Sequence, residues 1–118
     1  MNEIETVLAE MGYTPDAVQL GWWHPPGEPD VWIFARAHTD ANFVVEHLLP
    51  WLHSKGVAWE VVQGKVEDAN VWCGLTAHSQ ASGTCAGKTL TEAVLKATAK
   101  AADAGWFAEL AEQERARQ

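Results

Sequence analysis

Val71–Asp103, VWCGLTAHSQASGTCAGKTLTEAVLKATAKAAD, decides the fold. Asn70 to His78 alternates: Val71, Cys73, Leu75 and Ala77 fall on one face, and Trp72, Gly74, Thr76 and His78 on the other. A period of two predicts a strand with one buried face. Ser79 to Gly87 is rich in serine, glycine and threonine, so the chain turns there or runs on as an irregular strand. Thr89-Leu90-Thr91-Glu92 is a capping box, with Thr89 accepting from the Glu92 amide and Glu92 reaching back to that of Thr89. Leu90, Ala93, Val94, Ala97 and Ala101 then recur at helical spacing, while Lys96, Lys100 and Asp103 point elsewhere. A buried stripe of alanines lets this helix lie close to a sheet. Gly105 is placed to end it.

Ser82 to Thr89 imitates a phosphate-binding loop, because it lies between strand and helix and ends in Gly-Lys-Thr. That loop needs four residues between its first glycine and Gly-Lys, so that successive amides curl around a phosphate. Gly83 leaves one too few, and Ser82 stands where the glycine belongs. Nucleotide hydrolysis is therefore not the reading. A weaker possibility survives, with Lys88 and Thr89 as anion-binding candidates at the helix start.

A chain of 118 residues is read as one domain, 1–118, large enough for a real core. It is 47% hydrophobic and 20% charged, which argues against disorder. No apolar run reaches the length of a membrane span. The first residues, MNEIETVLAEM, are acidic and amphipathic rather than signal-like. A cytoplasmic location in a bacterial host cell is expected, with Cys73 and Cys85 reduced. The net charge is −8. Residues 1–59 hold eight acids against Arg36 and Lys55, a net of −6; residues 60–118 carry −2. An acidic chain does not displace counterions from nucleic acid, so direct nucleic-acid binding is not expected. The acidity suits a basic partner.

Working outward, Asn2 is a plausible N-cap with Glu5 three residues on, and Ile4, Val7, Leu8 and Met11 form a helical stripe closed at Gly12. Thr14-Pro15-Asp16 starts a short helical turn through Leu20, or else Ala17 to Trp23 is a strand. Gly21 to Asp30 holds three of the five prolines and reads as a loop, placing Trp22 and Trp23 outside regular structure. Val31 to Ala37 alternates as a strand. Thr39 or Asp40 caps a helix with the stripe Ala41, Val45, Leu48, Leu49 and Leu52, kinked or ended by Pro50. Val57 to Gln63 is a strand with Val57, Trp59 and Val61 facing one way, and it forms a hairpin with Asn70–His78 through a polar turn. Trp106, Phe107, Leu110 and Ala111 make a last apolar stripe before a tail, about 112–118, expected to fray. The result is an α+β fold: a small sandwich of an antiparallel or mixed three- to four-stranded sheet covered by helices, in the order α-(loop)-β-α-β-β-α-α.

Several segments carry a family likeness. They are Met11-Gly12-Tyr13 closing the first helix, Thr39-Asp40-Ala41-Asn42 through Val44-Val45-Glu46 opening the second, Trp59-Glu60-Val61 and Val71-Trp72-Cys73 as strands, and Ala86-Gly87 with Thr89-Leu90-Thr91-Glu92-Ala93 before an alanine-rich helix. In order and spacing these resemble the phage ABA sandwich domain, a family of small phage and prophage proteins. The likeness covers most of residues 1–103. Departures are the proline-rich insertion at 21–30 and Thr91, where the family tends to have proline. The resemblance implies an α/β sandwich of phage origin and carries over no catalytic residue. A double-stranded-RNA-binding domain shares the helix and strand order, but it needs a lysine cluster where this chain has only Lys88.

His24, His38, His47, His53 and His78 form no metal-ligating spacing, and the two cysteines lie twelve apart, so no metal and no cofactor is expected. Cys85 or Ser79 with His78 or His24 is conceivable for nucleophilic catalysis, but no signature singles them out, and the chain is not read as an enzyme. The stiff aromatic stretch Trp22 to Pro29 has the character of an interface anchor. Its contact candidates are Trp22, Trp23, His24, Glu28 and Asp30, with Trp23 turned inward if the stretch from Leu20 extends a strand. The leading reading is a non-enzymatic acidic phage or prophage protein that binds a host protein, itself basic or nucleic-acid-binding. Its specific form is inhibition of a host defence complex, as anti-CRISPR proteins do. The second is a small-molecule or nucleotide binder using tryptophan stacking and the Lys88–Thr89 helix start, and the third a small enzyme. Monomer and homodimer both stay open.

Overall fold

A computed structural model describes residues 2–35, 41–64 and 70–117. Its elements are α1 (Glu3–Glu10), β1 (Thr14–Pro15), β2 (Trp22–His24), β3 (Ile33–Phe34), α2 (Ala41–Phe43), a π-helical turn (Val44–Leu48), α3 (Leu49–Ser54), β4 (Ala58–Gln63), β5 (Val71–Ala77), β6 (Gln80–Gly87), α4 (Leu90–Asp103) and α5 (Trp106–Ala116). The fold is α+β, with the strands divided into two antiparallel three-stranded sheets, β1-β2-β3 and β4-β5-β6.

The larger sheet follows the sequence pattern. Cys73, Leu75 and Ala77 are buried on one face of β5. β4 pairs antiparallel with β5, Val61 opposite Cys73 and Trp59 opposite Leu75. The stretch after His78 is a full strand, and β6 returns along β5 through a two-residue turn in which His78 (φ 51°) and Ser79 (φ 66°) take positive φ. Such a turn matches the twist of the flanking strands.

α4 packs on β5 and β6, and α1 packs on α4. Ala93, Val94, Ala97, Thr98 and Ala101 are buried in α4. The close approach depends on Gly87, where a Cβ would lie 2.7 Å from the Ala93 amide nitrogen. The buried Thr98 hydroxyl donates to the Val94 carbonyl at 2.8 Å, so it adds no unpaired polar atom. At the start of α4, Thr89 Oγ1 accepts from the Glu92 amide at 3.1 Å. The Glu92 carboxylate accepts from the Lys88 amide rather than that of Thr89, which moves the second half of the capping box one residue outward. Asn2 and Glu5 complete the capping box of α1 in both directions.

Four sequence expectations are corrected. Trp22 and Trp23 form a strand, because the prolines begin only at Pro25, after β2 ends, and Pro15 sits on an edge strand, where a missing amide is tolerated. Thr14 to Leu20 is accordingly not helical. The second helical segment contains a π turn ahead of Pro50, which shifts its phase, so Phe43, Val44, Leu48 and Leu52 are buried and Val45 is exposed. The predicted strand over 31–37 is present only as Ile33–Phe34; its residues 36–37, the Thr39 or Asp40 cap and most of the polar turn after Gln63 lie outside the described residues.

Candidate functional site

The small sheet sorts its aromatic residues by alternation. Trp23 is opposite Ile33, and Trp22 is opposite Phe34. Trp23 turns inward, 3% exposed, and joins the core with Ala35. Trp22 turns outward with its strand neighbour His24 and, across the sheet, Phe34 and Trp32. The Trp22 ring meets Trp32 edge-on at 6.3 Å and Phe34 at 5.2 Å between centroids. His24 meets Trp32 edge-on at 4.8 Å. Trp32 stays 47% exposed and Phe34 37%. Val31 beside them and Leu20 in the preceding turn are also exposed.

This face is braced from beneath and beside. Gly21 has φ +85°, and a Cβ there would lie 2.9 Å from Phe34 Cε2, so only glycine lets the Phe34 ring rest where it does. The Gly21 carbonyl accepts from the Ala35 amide at 2.8 Å. Asp16 accepts through Oδ2 from the Val18 and Gln19 amides at 3.0 and 2.8 Å, closing the turn that leads into β2.

His24 locks the arrangement. Its Nε2 lies 2.9 Å from Asp16 Oδ1, and its Nδ1 lies 2.8 Å from the Val31 carbonyl oxygen. Both partners accept, so both contacts are met together when the two ring nitrogens each carry a proton. The hydrogen bond to Asp16, then that to Val31, raise the His24 pKa above its ordinary value, and the same bond to His24 lowers that of Asp16. Asp30 adds a weaker attraction to His24. With both nitrogens held, His24 has no free position for general acid–base work.

Of the residues singled out from sequence, Trp22, His24 and Asp30 therefore gather at one face. Glu28 stands on the exposed turn between β2 and β3, its amide donating to the Pro25 carbonyl. Trp23 belongs to the core. Trp32, Phe34 and Asp16 are the additions. The first two were legible in the alternation of residues 31–35; the pairing of Asp16 with His24, eight residues apart, carried no sequence signal.

The other candidates lie elsewhere. Lys88 and Thr89 are exposed at the start of α4, where the Glu92 carboxylate already occupies the Lys88 amide and also pairs with Lys96 at 2.9 Å. The acid stands where an external anion would be received. Cys73 and Cys85 are opposite each other on β5 and β6 as free thiols. His78 Nδ1 accepts from Arg117 Nη1 at 3.0 Å. Among the described residues, no group of three or more His, Cys, Asp or Glu is arranged to hold a metal ion. No helix of the described residues is long and apolar enough to cross a membrane. No known protein family, curated protein or solved structure matches this chain.

Proposed function

We propose that this chain is a non-enzymatic binding protein that docks a partner protein on the outer face of β2 and β3. The observation that supports the reading is the aromatic cluster of exposed Trp32 and Phe34 on half-buried Trp22, braced by Gly21 and by the His24–Asp16 pair. Preorganised aromatic rings give large contact area at low entropy cost and are the usual anchors of interfaces. Asp30 borders the face beside His24, and with the net charge of −8 it favours a partner with a basic rim. The finer reading, a phage or prophage protein acting on a host protein such as a defence complex, rests on the family resemblance alone.

The test is a parallel capture from bacterial lysate with the tagged wild-type protein and the Trp32→Ala/Phe34→Ala variant, which removes exposed rings and spares the buried Trp23. A stoichiometric partner held by wild type, lost by the variant and weakened by salt is the expected result. Equal retention by both proteins would reject the aromatic face as the interface.

A further inference from the structure

β4 is an edge strand of the larger sheet, exposed along its length, and it carries large apolar side chains on both faces. Trp59 and Val61 stand opposite Leu75 and Cys73, on the face that α4 covers farther along the sheet. They remain 37% and 38% exposed, because the helix lies over β5 and β6. Val62 is on the other face opposite Trp72, and both are exposed too.

The backbone indicates what kind of neighbour fits. The Gly64 amide donates to the Asn70 carbonyl, so residue 64 turns its polar groups toward the β5 side. Antiparallel pairing alternates. Val62, Glu60 and Ala58 therefore also turn inward, and Gln63, Val61 and Trp59 turn their N–H and C=O groups outward. No strand of the described residues pairs with that outward side. β4 has no proline, lysine or bulge of the kind that protects an edge; the register shift in this sheet is between Gly74 and Thr76.

We propose that β4 pairs antiparallel with β4 of a second copy, joining the two three-stranded sheets into one of six strands about a two-fold axis. The outward set, residues 59, 61 and 63, is symmetric about Val61. An axis there engages every outward group of both strands, setting Val61 against its copy, Trp59 against Gln63 and Glu60 against Val62. An axis through Glu60 would set two carboxylates directly opposite each other, which is unfavourable. The Val61 register also brings Trp59, Val61 and Val62 beside side chains of the copy on both faces. A strand pair with these side chains is small beside the roughly 1,600 Å² of a standard interface, so a weak dimer is expected. Each copy carries −8, so added salt tightens it.

Sedimentation velocity of the full chain from about 1 to about 200 μM tests this. A monomer–dimer equilibrium that strengthens with salt is expected. Val61→Pro removes only an outward amide, which an edge strand tolerates, and weakens the dimer at least about tenfold with the melting temperature kept. If Val61→Pro melts early, Val61→Lys at the same exposed position decides. A monomer throughout the range, a dimer indifferent to the substitution, or a dimer lost instead in Trp32→Ala/Phe34→Ala overturns the proposal. The last outcome would place self-association on the aromatic face. Salt distinguishes self-association, which it tightens, from binding of a basic partner, which it weakens.

Discussion

His24 Nε2 lies 2.9 Å from Asp16 Oδ1, and this pair ties the turn before β2 to the strand that carries Trp22. Its effect on stability has a defined sign. His24 is raised above 6.5, so its contribution is complete below pH 6.5 and is lost as pH rises through its folded value. Asp16 is lowered below 3.8, so its contribution is complete above pH 3.8 and is lost as pH falls through its folded value. The pair stabilises most between pH 3.8 and 6.5. Thermal melting of wild type minus His24→Gln should give a difference that is largest in that window and declines on the alkaline side. A His24 ring that titrates by NMR at or below 6.5 would contradict the pairing.

The two adjacent tryptophans should behave oppositely. Trp23→Ala empties a core position and should cost about 3–5 kcal/mol in denaturant unfolding. Trp32→Ala loses edge contacts from an exposed ring and should cost about 1 kcal/mol. Equal losses would mean that alternation does not sort this sheet.

Gly21→Ala tests the seat of Phe34. A side chain at φ +85° that also meets the ring at 2.9 Å should destabilise by about 1–3 kcal/mol and displace Phe34. Partner binding should fall with it. Retained affinity would show that the position of the Phe34 ring is not needed.

Gly87→Ala places a methyl 2.7 Å from the Ala93 amide, so α4 must move off β6. A loss of about 1–3 kcal/mol is expected, as for overpacked sites. A neutral result would mean that the helix sits farther from the sheet.

The thiols should differ in reactivity. Burial, with Cys85 nearby, pushes the Cys73 pKa up to about 11, and its side chain is closed to solvent. A disulfide reagent at pH 8 should modify Cys85 first and reach Cys73 only on unfolding. Simultaneous modification in the folded protein would contradict this.

Most of the larger sheet and its helix was legible because each local signal agreed with the tertiary outcome: alternation at Val71–Ala77, the Thr89 cap, the alanine stripe and Gly105. The π turn was not, since Pro50 announces a break in the helix without saying how the preceding turn absorbs it. Trp22 and Trp23 read as loop because a three-residue strand followed directly by Pro-Pro-Gly looks like loop on composition alone. The exposure of Trp59 and Val61 was hidden for another reason. Alternation predicts which face a side chain takes, but how far α4 extends over that face is a tertiary fact. Trp32 and Phe34 were correctly alternated, and only their pairing with Trp22 across β2–β3 made them a site.

Site-specific photo-crosslinking addresses the central claim most directly. Trp32→benzoylphenylalanine and Phe34→benzoylphenylalanine place the reactive group within the aromatic face, and Ala108→benzoylphenylalanine places it on the exposed surface of α5. Irradiation in bacterial lysate should give one adduct of defined mass from positions 32 and 34 and none from 108. Adducts absent from 32 and 34, or equal at all three positions, would contradict the assignment of this face as the binding surface.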